Sequence, residues 1–430
     1  MPNQEKEKYY EEVKKTSPDV SEQKNEEMQQ ALKSMDKIKE EEMSPEEKEE
    51  YEKVLQGVRN VLGAFELKRS KDNKKGENLI IVTDLGVDEM VRKALEQAGR
   101  ELAGNDFRLV VSNKPEHAAQ DFLETINEKI KHADTVLYAT SISRSHSKGT
   151  VDLISEHPNE KINELQNLRR RERGVSFISQ MRLISITNAT KEIFTEGAAL
   201  ENPDNLKKRG EKLAEFMKDV RFLHITSAEG TDLVLKPKKE ATPEFESGKV
   251  NKPGKLSNFP MGEWGTAVDL AETSGILVVD GAVTMIGRLE KPIKVKIEKG
   301  KAVEIIDGEQ SEKIKQLLQQ ANEEYAEKNP EGKANAFRVA EIGIGTNSQA
   351  FRYNTQGEKI SPPTSLEAEK GLGTIHVALG KNSLFAVDKN DPDCNDIPIH
   401  LDHIVMHPEI VAEFEDGRKV PLIKNGELLI

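Results

Sequence analysis

The sequence predicts an α/β protein in which an amino-terminal parallel α/β domain is followed by an α+β domain. Two observations carry this prediction. Over residues 76–215, short β-branched segments alternate with helical segments, which is the pattern of βαβ units. Over residues 216–430, strand-like segments follow one another, and one long helical segment interrupts them. We therefore expect three regions: a charged extension (1–75), the α/β domain (76–215) and the α+β domain (216–430).

The composition excludes several classes of protein. The chain has 430 residues, and 63 Lys and Arg against 76 Asp and Glu give a formal net charge of −13. Because such a chain repels phosphate backbones, we expect no nucleic-acid partner. A single cysteine excludes a disulfide framework and a cysteine-rich zinc site. No apolar run approaches the roughly 18 residues of a membrane span, and the start lacks the apolar core of a secretory signal, so we expect a soluble, cytoplasmic protein without a membrane partner.

The first 75 residues are rich in Glu, Lys and Gln, with a dense acidic block at 40–53. Val54, Val58 and Leu62 follow helical spacing, and Ser44 with Glu47 matches a capping box. We predict a solvated helical or disordered extension, since charge blocks are usually solvated. An acidic docking arm is the functional alternative.

The elements of the α/β region follow in regular order. Strands are predicted at 79–84, 108–112, 135–140 and 175–179, and helices at 87–102 and 115–132. This alternation predicts a parallel sheet. The region contains neither GxGxxG nor GxxxxGK[ST], so a phosphate-cradling loop is not indicated.

The α+β region begins after an amphipathic helix at 205–219. Strands are predicted at 221–226, 231–237, 276–281 and 292–300, and one long helix at 311–328. Strands in runs with a segregated helix are typical of α+β domains.

Two histidines and an aspartate are the first candidates for a metal site. His400 and Asp402 lie in PIHLDHIVM (398–406), an apolar segment that predicts a strand, and residues two apart on a strand share a face. His376 lies in GTIHVALG (373–380), another predicted strand. A lone histidine on a strand is more often a core residue whose ring nitrogens have hydrogen-bond partners. Two histidines and a carboxylate on neighbouring strands favour a divalent metal.

Two glutamates stand in similarly apolar surroundings. Glu263 lies in the Pro- and Gly-containing segment NFPMGEWGTA (258–267), and Glu341 lies in VAEIGIGTN (339–347). An unpaired buried carboxylate is costly, so a cation or strong donors are expected beside it. Either these glutamates bridge metal ions, or they accept backbone N–H bonds in tight turns. Their spacing leaves both interpretations open.

In their order, these segments resemble the thermophilic-type aminopeptidase family of metallopeptidases, which includes aminopeptidases S and T and leucyl aminopeptidase. The matching text is NFPMGEWGTA, AEIGIGTN, EKGLGTIHVALG and IHLDHIV, with GTDL at 230–233, and the resemblance extends from residue 76 to the end. It implies a metal-binding catalytic domain of the aminopeptidase T type, two divalent ions (Zn, Co or Mn) and a homodimer. It also places five residues on metal-ligand positions: Glu263, Glu341, His376, His400 and Asp402.

The function that the resemblance implies is that of an aminopeptidase, a hydrolase (protease) that removes amino-terminal residues from a peptide substrate. Two metals would activate a water near neutral pH, and Glu341 is the candidate catalytic base. Ser383 stands where peptidases of this family carry a tyrosine, which leaves peptidase activity open.

Two other classes remain as alternatives. The 2,5-dihydroxypyridine dioxygenases are similar to this family in fold and use one iron held by two His and an Asp. We expect a histidine in place of Glu341 in that branch, so Glu341 favours the hydrolase, whereas His146 in SRSHS (143–147) favours the dioxygenase. A non-catalytic member that keeps the fold is the third class.

Overall fold

The computed structural model describes residues 43–67, 76–114, 126, 130, 133–142, 181–186, 188–252, 254–385, 387–388 and 390–430. The strand predicted at 175–179 and the segment with His146 lie outside these residues. The chain divides into two compact units. Unit 1 comprises Met1–Ile162, Val175–Thr195 and Val250–Phe259, and unit 2 comprises Asn163–Gly174, Glu196–Lys249 and Pro260–Ile430.

The described residues contain six α-helices and twenty-two strands. The helices are α1 (Pro45–Gly63), α2 (Glu89–Ala103), α3 (Lys191–Thr195), α4 (Pro203–Met217), α5 (Glu309–Lys328) and α6 (Ser365–Ala368). The strands are β1 (Leu79–Asp84), β2 (Phe107–Ser112), β3 (Thr135–Ala139), β4 (Arg182–Ile186), β5 (Val220–Ser227), β6 (Asp232–Leu235), β7 (Glu244–Phe245), β8 (Leu256–Phe259), β9 (Glu263–Thr266), β10 (Ser274–Val279), β11 (Ala282–Val283), β12 (Gly287–Arg288), β13 (Ile293–Glu298), β14 (Lys301–Ile306), β15 (Val339–Gly345), β16 (Arg352–Tyr353), β17 (Lys359–Ile360), β18 (Ile375–Gly380), β19 (His400–Val405), β20 (Pro408–Phe414), β21 (Lys419–Lys424) and β22 (Glu427–Leu428).

Unit 1 contains a parallel sheet with the strand order β2-β1-β3-β4-β8 in its described part. All six residues of β1 are buried, as expected for a parallel strand covered on both faces. The parallel sheet predicted for the amino-terminal region is therefore confirmed.

Helix α1 begins with the predicted capping box, in which the amide of Glu47 donates to Ser44 Oγ and the amide of Ser44 donates to Glu47 Oε2. Its apolar face, including Val54 and Val58, is buried, and the helix packs against α2 and α3. This part of the predicted charged extension is thus a packed helix and not a solvated one, because the apolar residues between the charges form one continuous face.

In the residues described, unit 2 contains two large antiparallel sheets and the two-stranded antiparallel sheet β16-β17. The first large sheet has the order β14-β13-β10-β6-β5-β20-β21-β22 and the second β12-β11-β19-β18-β15-β9-β7. Both contribute to one apolar core, with Val295 from the first sheet and Val377 from the second among its members. The antiparallel second region agrees with the predicted α+β class, while the boundaries at residues 75 and 215 stay predictions.

Burial differs between the two large sheets of unit 2. Strand β13 alternates buried and exposed residues, so one face is solvated. Every residue of β15 and β18 is buried, although these strands carry Glu341 and His376. Ionisable groups therefore lie inside the second sheet. No helix in the described ranges is long and apolar enough to cross a membrane.

Candidate metal centre

Four adjacent strands of the second sheet carry the predicted site residues. Glu263 opens β9, Glu341 lies in β15, His376 in β18, and His400 and Asp402 in β19. These strands are neighbours in the order β19-β18-β15-β9. Residues up to 139 positions apart in sequence are thereby brought to one place, as the predicted ligand set requires.

Two glycines make room for these side chains. Gly343 pairs with His376 across β15 and β18, and a Cβ on Gly343 would lie 2.0 Å from Cε1 of that imidazole. A Cβ on Gly265 would lie 2.2 Å from Glu341 Oε1. Since both distances are far below van der Waals contact, larger residues at these positions would displace the imidazole and the carboxylate.

The ligand atoms around His400 lie at distances typical of a coordination sphere, and those around His376 are longer. His400 Nε2 is 3.1 Å from both Asp402 Oδ1 and Glu341 Oε2, and His376 Nε2 is 3.8 Å and 3.5 Å from Asp402 Oδ1 and Glu341 Oε1. Donors about 2.1 Å from one divalent ion are separated by roughly 3.0–3.4 Å when they are adjacent. One ligand atom from each of Glu341, His400 and Asp402 lies within 4.8 Å of the others, so these three residues form a candidate metal triad.

Without a metal ion, the imidazoles of the site hold protons, and these positive charges stand in the place of a cation. Burial alone would lower the pKa of His376, but its hydrogen bond to Glu341 and the charge of Asp402 raise that pKa to about 10. Burial opposes the shifts of Asp402 and Glu341 too, yet the imidazoles lower both pKa values below their ordinary range. A metal ion would replace these protons, since ligating imidazoles must be neutral.

Neighbouring groups orient two of the ligands. Nδ1 of His400 lies 2.7 Å from the carbonyl oxygen of Lys381, which can only accept, so Nδ1 carries the proton and Nε2 faces the carboxylates. Thr284 Oγ1 donates to Asp402 Oδ2 at 2.8 Å and accepts from the Asp402 amide at 3.1 Å. These bonds leave Asp402 Oδ1 directed at the imidazoles.

A buried lysine beside the site was not predicted from the sequence. Lys370 is 2% exposed, and its Nζ lies 2.8 Å from Glu263 Oε1, 2.9 Å from Glu369 Oε1 and 3.1 Å from Glu246 Oε2. Burial raises the pKa of Glu246 to about 7, while the surrounding carboxylates hold the pKa of Lys370 well above its ordinary value despite burial. The signal available was the pair Glu369-Lys370 inside a candidate motif, but such a pair is usually solvated.

Other polar residues near the motifs have contacts of their own. Ser383 Oγ donates to Asp396 Oδ1 at 3.0 Å. His403 is buried on the face of β19 opposite to that of Asp402, as strand alternation predicts, and its Nδ1 lies 3.2 Å from the Val377 carbonyl oxygen. Burial lowers the pKa of His403 to about 4, so this imidazole is neutral. Trp264 is buried and belongs to the apolar core.

The family comparison favours the dioxygenase over the aminopeptidase. The model of the family NicX, 2,5-dihydroxypyridine 5,6-dioxygenase, matches residues 171–413, which is more than half of the chain. The chain belongs to the NicX family. No curated protein matches the sequence.

Two solved structures share the fold with this NicX-family chain. The 2,5-dihydroxypyridine dioxygenase from Pseudomonas putida KT2440 is similar with a TM-score of 0.58 at 16% identity, over 87% of this chain and 96% of that one. Wild-type AmpT from Thermus thermophilus is similar with a TM-score of 0.56 at 14% identity, over 88% of this chain and 100% of that one. The fold is therefore common to an aminopeptidase and a dioxygenase, and the resemblance to the aminopeptidases is supported at this level.

The prediction of an aminopeptidase, and with it of a protease and hydrolase, is wrong, because the family that matches is a dioxygenase. The four motifs lie in the second sheet of a fold that both solved structures share, and a fold does not determine the reaction. In the sequence Glu341 favours the hydrolase, whereas the structure brings two imidazoles, those of His376 and His400, to the site beside it. The predicted pair of Zn, Co or Mn ions, the partners (a peptide and a second copy of the chain) and the cytoplasmic location stay predictions.

Proposed function

We propose that this chain is a dioxygenase that uses a single iron ion to open a dihydroxylated aromatic ring with O2. One observation carries the proposal: Asp402 Oδ1 is the common neighbour of two imidazole nitrogens, His400 Nε2 at 3.1 Å and His376 Nε2 at 3.8 Å. Two histidines and one carboxylate are the donor set of oxygen-activating iron sites. Membership of the NicX family supports the same reaction class.

His376, His400 and Asp402 are the residues that would hold the iron. His400 and Asp402 belong to the candidate metal triad, and in the proposal His376 takes the place of Glu341. When bound, iron would supply the redox chemistry that lets O2 react with an aromatic ring, which no side chain supplies. The donor set suits this ion, since imidazole and carboxylate are both ligands of ferrous iron. The chain contributes the fixed positions of these donors on rigid strands.

Glu341 has a separate part in the proposal. Its carboxylate is 5% exposed and lies within 3.1–3.5 Å of both imidazoles. A phenolic substrate must lose a hydroxyl proton as it binds beside a cation, and a carboxylate at hydrogen-bond distance can accept that proton. We assign this acceptor role to Glu341, in place of the water activation expected for a hydrolase.

The substrate class follows from the name of the family and from the balance of the reaction. A dihydroxylated pyridine, as in the family description, would lose one ring C–C bond and gain both atoms of O2. The ring itself supplies the four electrons that reduce O2, so no external reductant is needed. A buried site suits such chemistry because water is kept away from reactive species.

The experiment is an oxygen-uptake assay on the full chain. The protein is first loaded with Fe(II) in the absence of air, and O2 and substrate are then added. With 2,5-dihydroxypyridine we expect one O2 consumed per substrate, without added reductant, and both atoms of ¹⁸O2 in the product. His400→Ala should abolish uptake. His224→Ala is the matched control, because His224 lies in the same unit and pairs with Glu413 at 3.0 Å. Iron-loaded protein that consumes no O2 with dihydroxypyridines or catechols would overturn the proposal.

A further inference from the structure

Lys370 is surrounded by carboxylates in the manner of a bound cation. Its three nearest oxygens, from Glu263, Glu369 and Glu246, lie at 2.8, 2.9 and 3.1 Å. A lysine ammonium has three N–H donors, and three carboxylate oxygens surround it at ion-pair distance. The side chain is 2% exposed, and water therefore contributes little to this arrangement.

Glu263 connects this lysine to the candidate metal centre. Its Oε1 contacts Lys370 Nζ, while its Oε2 lies 3.8 Å from His376 Nε2. Oε2 is buried and accepts no hydrogen bond from the residues that the structure describes. One carboxylate thus faces two positions, the ammonium on one side and the metal ligands on the other.

The two clusters contain several carboxylates and a single lysine. Five buried or largely buried carboxylates belong to them: Glu246, Glu263, Glu341, Glu369 and Asp402. Among these residues Lys370 supplies a permanent positive charge, and a divalent ion held by the histidines would supply two positive charges in place of the imidazole protons. Removing the lysine would leave buried carboxylates without a partner, which strongly favours the uptake of another cation.

We propose that the Lys370 ammonium is a built-in second cation, which limits this centre to one divalent ion and occupies the place where a second ion would otherwise bind. The inference rests on the proposed iron centre and names the residue that sets its stoichiometry. Without Lys370, the carboxylates of Glu246, Glu263 and Glu369 would form a second site for a hard divalent ion, since all three offer oxygen ligands.

The test counts bound ions and does not depend on activity. The full chain is stripped of metal with a chelator and titrated with Mn(II), and bound ions are counted by equilibrium dialysis with elemental analysis. We expect one ion per chain in the wild type, two in Lys370→Met, and one in Lys370→Arg, which keeps the charge. Lys238→Met is the matched control, because Lys238 Nζ contacts Asp391 at 3.0 Å and Asp393 at 2.8 Å. It should bind one ion.

Several results would overturn the inference. These are two ions in the wild type, one ion in a folded Lys370→Met protein, or two ions in Lys238→Met. If Lys370→Met is unfolded without metal, we expect Mn(II) to restore its circular dichroism, because the second ion replaces the missing charge. A variant that stays unfolded at every Mn(II) concentration also contradicts the inference, since it shows a purely structural lysine.

The two proposals fail separately. One ion per wild-type chain without oxygen uptake would contradict the dioxygenase and leave the role of Lys370 standing. Two ions per chain with oxygen uptake would contradict the role of Lys370 alone.

Discussion

Two fully buried strands, one in each unit, carry a carboxylate, and the two carboxylates have different partners. Asp84 ends β1 of unit 1, where it accepts hydrogen bonds from the Gly86 amide at 2.7 Å and from the amide and hydroxyl of Ser141, both at 2.8 Å. Glu341 lies inside β15 of unit 2, where its oxygens face the imidazoles of His376 and His400.

The difference indicates that the partners of a buried carboxylate, and not its burial, distinguish a structural carboxylate from a candidate metal ligand. Backbone amides and a hydroxyl stabilise Asp84 permanently by hydrogen bonds. An imidazole can exchange its proton for a metal. When the proton leaves, the nitrogen lone pair points in the direction of the former N–H bond, where a metal ion can bind. The cluster around Glu341 can therefore change from a hydrogen-bonded network to a ligand set.

The largest expected effect comes from removing a direct ligand. His400→Ala and Asp402→Ala should each lower Mn(II) affinity by more than about 1000-fold, since changes to groups behind the ligands already lower it by roughly 10–100-fold. Calorimetric titration measures the affinity, and circular dichroism checks the fold. Asp84→Ala is the comparison and should bind Mn(II) as the wild type does. If Asp402→Ala retained its affinity, the assignment of this cluster would fail.

The second effect is the dependence of the free energy of unfolding on pH. The pKa of His376 is raised in the metal-free protein from 6.5 to about 10, so its contribution to stability is fully present below pH 6.5 and is lost as pH rises through about 10. The loss is at most about 5 kcal/mol. Urea unfolding of chelated protein at pH 6, 8 and 10 measures it, and His376→Gln should remove this part of the decline. Equal slopes in variant and wild type would contradict the prediction.

The third effect concerns the structural carboxylate. Asp84→Ala leaves two amides and a hydroxyl without their acceptor, and should lower the free energy of unfolding by about 2–4 kcal/mol. Ser141→Ala removes one of the three donors and should cost about 1 kcal/mol. Denaturant unfolding measures both. A change in metal stoichiometry in either variant would break the distinction between the two carboxylates.

The smallest effect concerns Thr284, which donates a hydrogen bond to the candidate ligand Asp402. Thr284→Val removes the hydrogen bond to Asp402 Oδ2 and should weaken Mn(II) binding by roughly 10–100-fold, while Thr284→Ser should restore it. Thr231→Val is the matched control, because among the described residues Thr231 Oγ1 bonds to the backbone of Val278 alone. This control should lose about 1 kcal/mol of stability and no metal affinity. Equal losses of affinity in the two valine variants would show a general effect of stability.

The sequence by itself determined features that depend on neighbouring residues. Alternation along β19 placed His400 and Asp402 on one face and His403 on the other. Local patterns also located β1, α2 and α5 to within two residues of their observed bounds, and the capping box of α1. These features are local because side-chain direction and helix capping are decided within a few residues.

Only the tertiary structure decided which distant residues meet and which charges are buried. The apolar face of α1 is short and set among charges, so its burial depends on α2 and α3, which no local pattern reveals. Lys370 and Glu369 form a pair that is ordinarily solvated, and they are buried here with Glu246 and Glu263 because folding brings these segments together. The reaction class was likewise not determined by the ligand motifs. One fold occurs in an aminopeptidase and in a dioxygenase, so the fold by itself does not determine the chemistry.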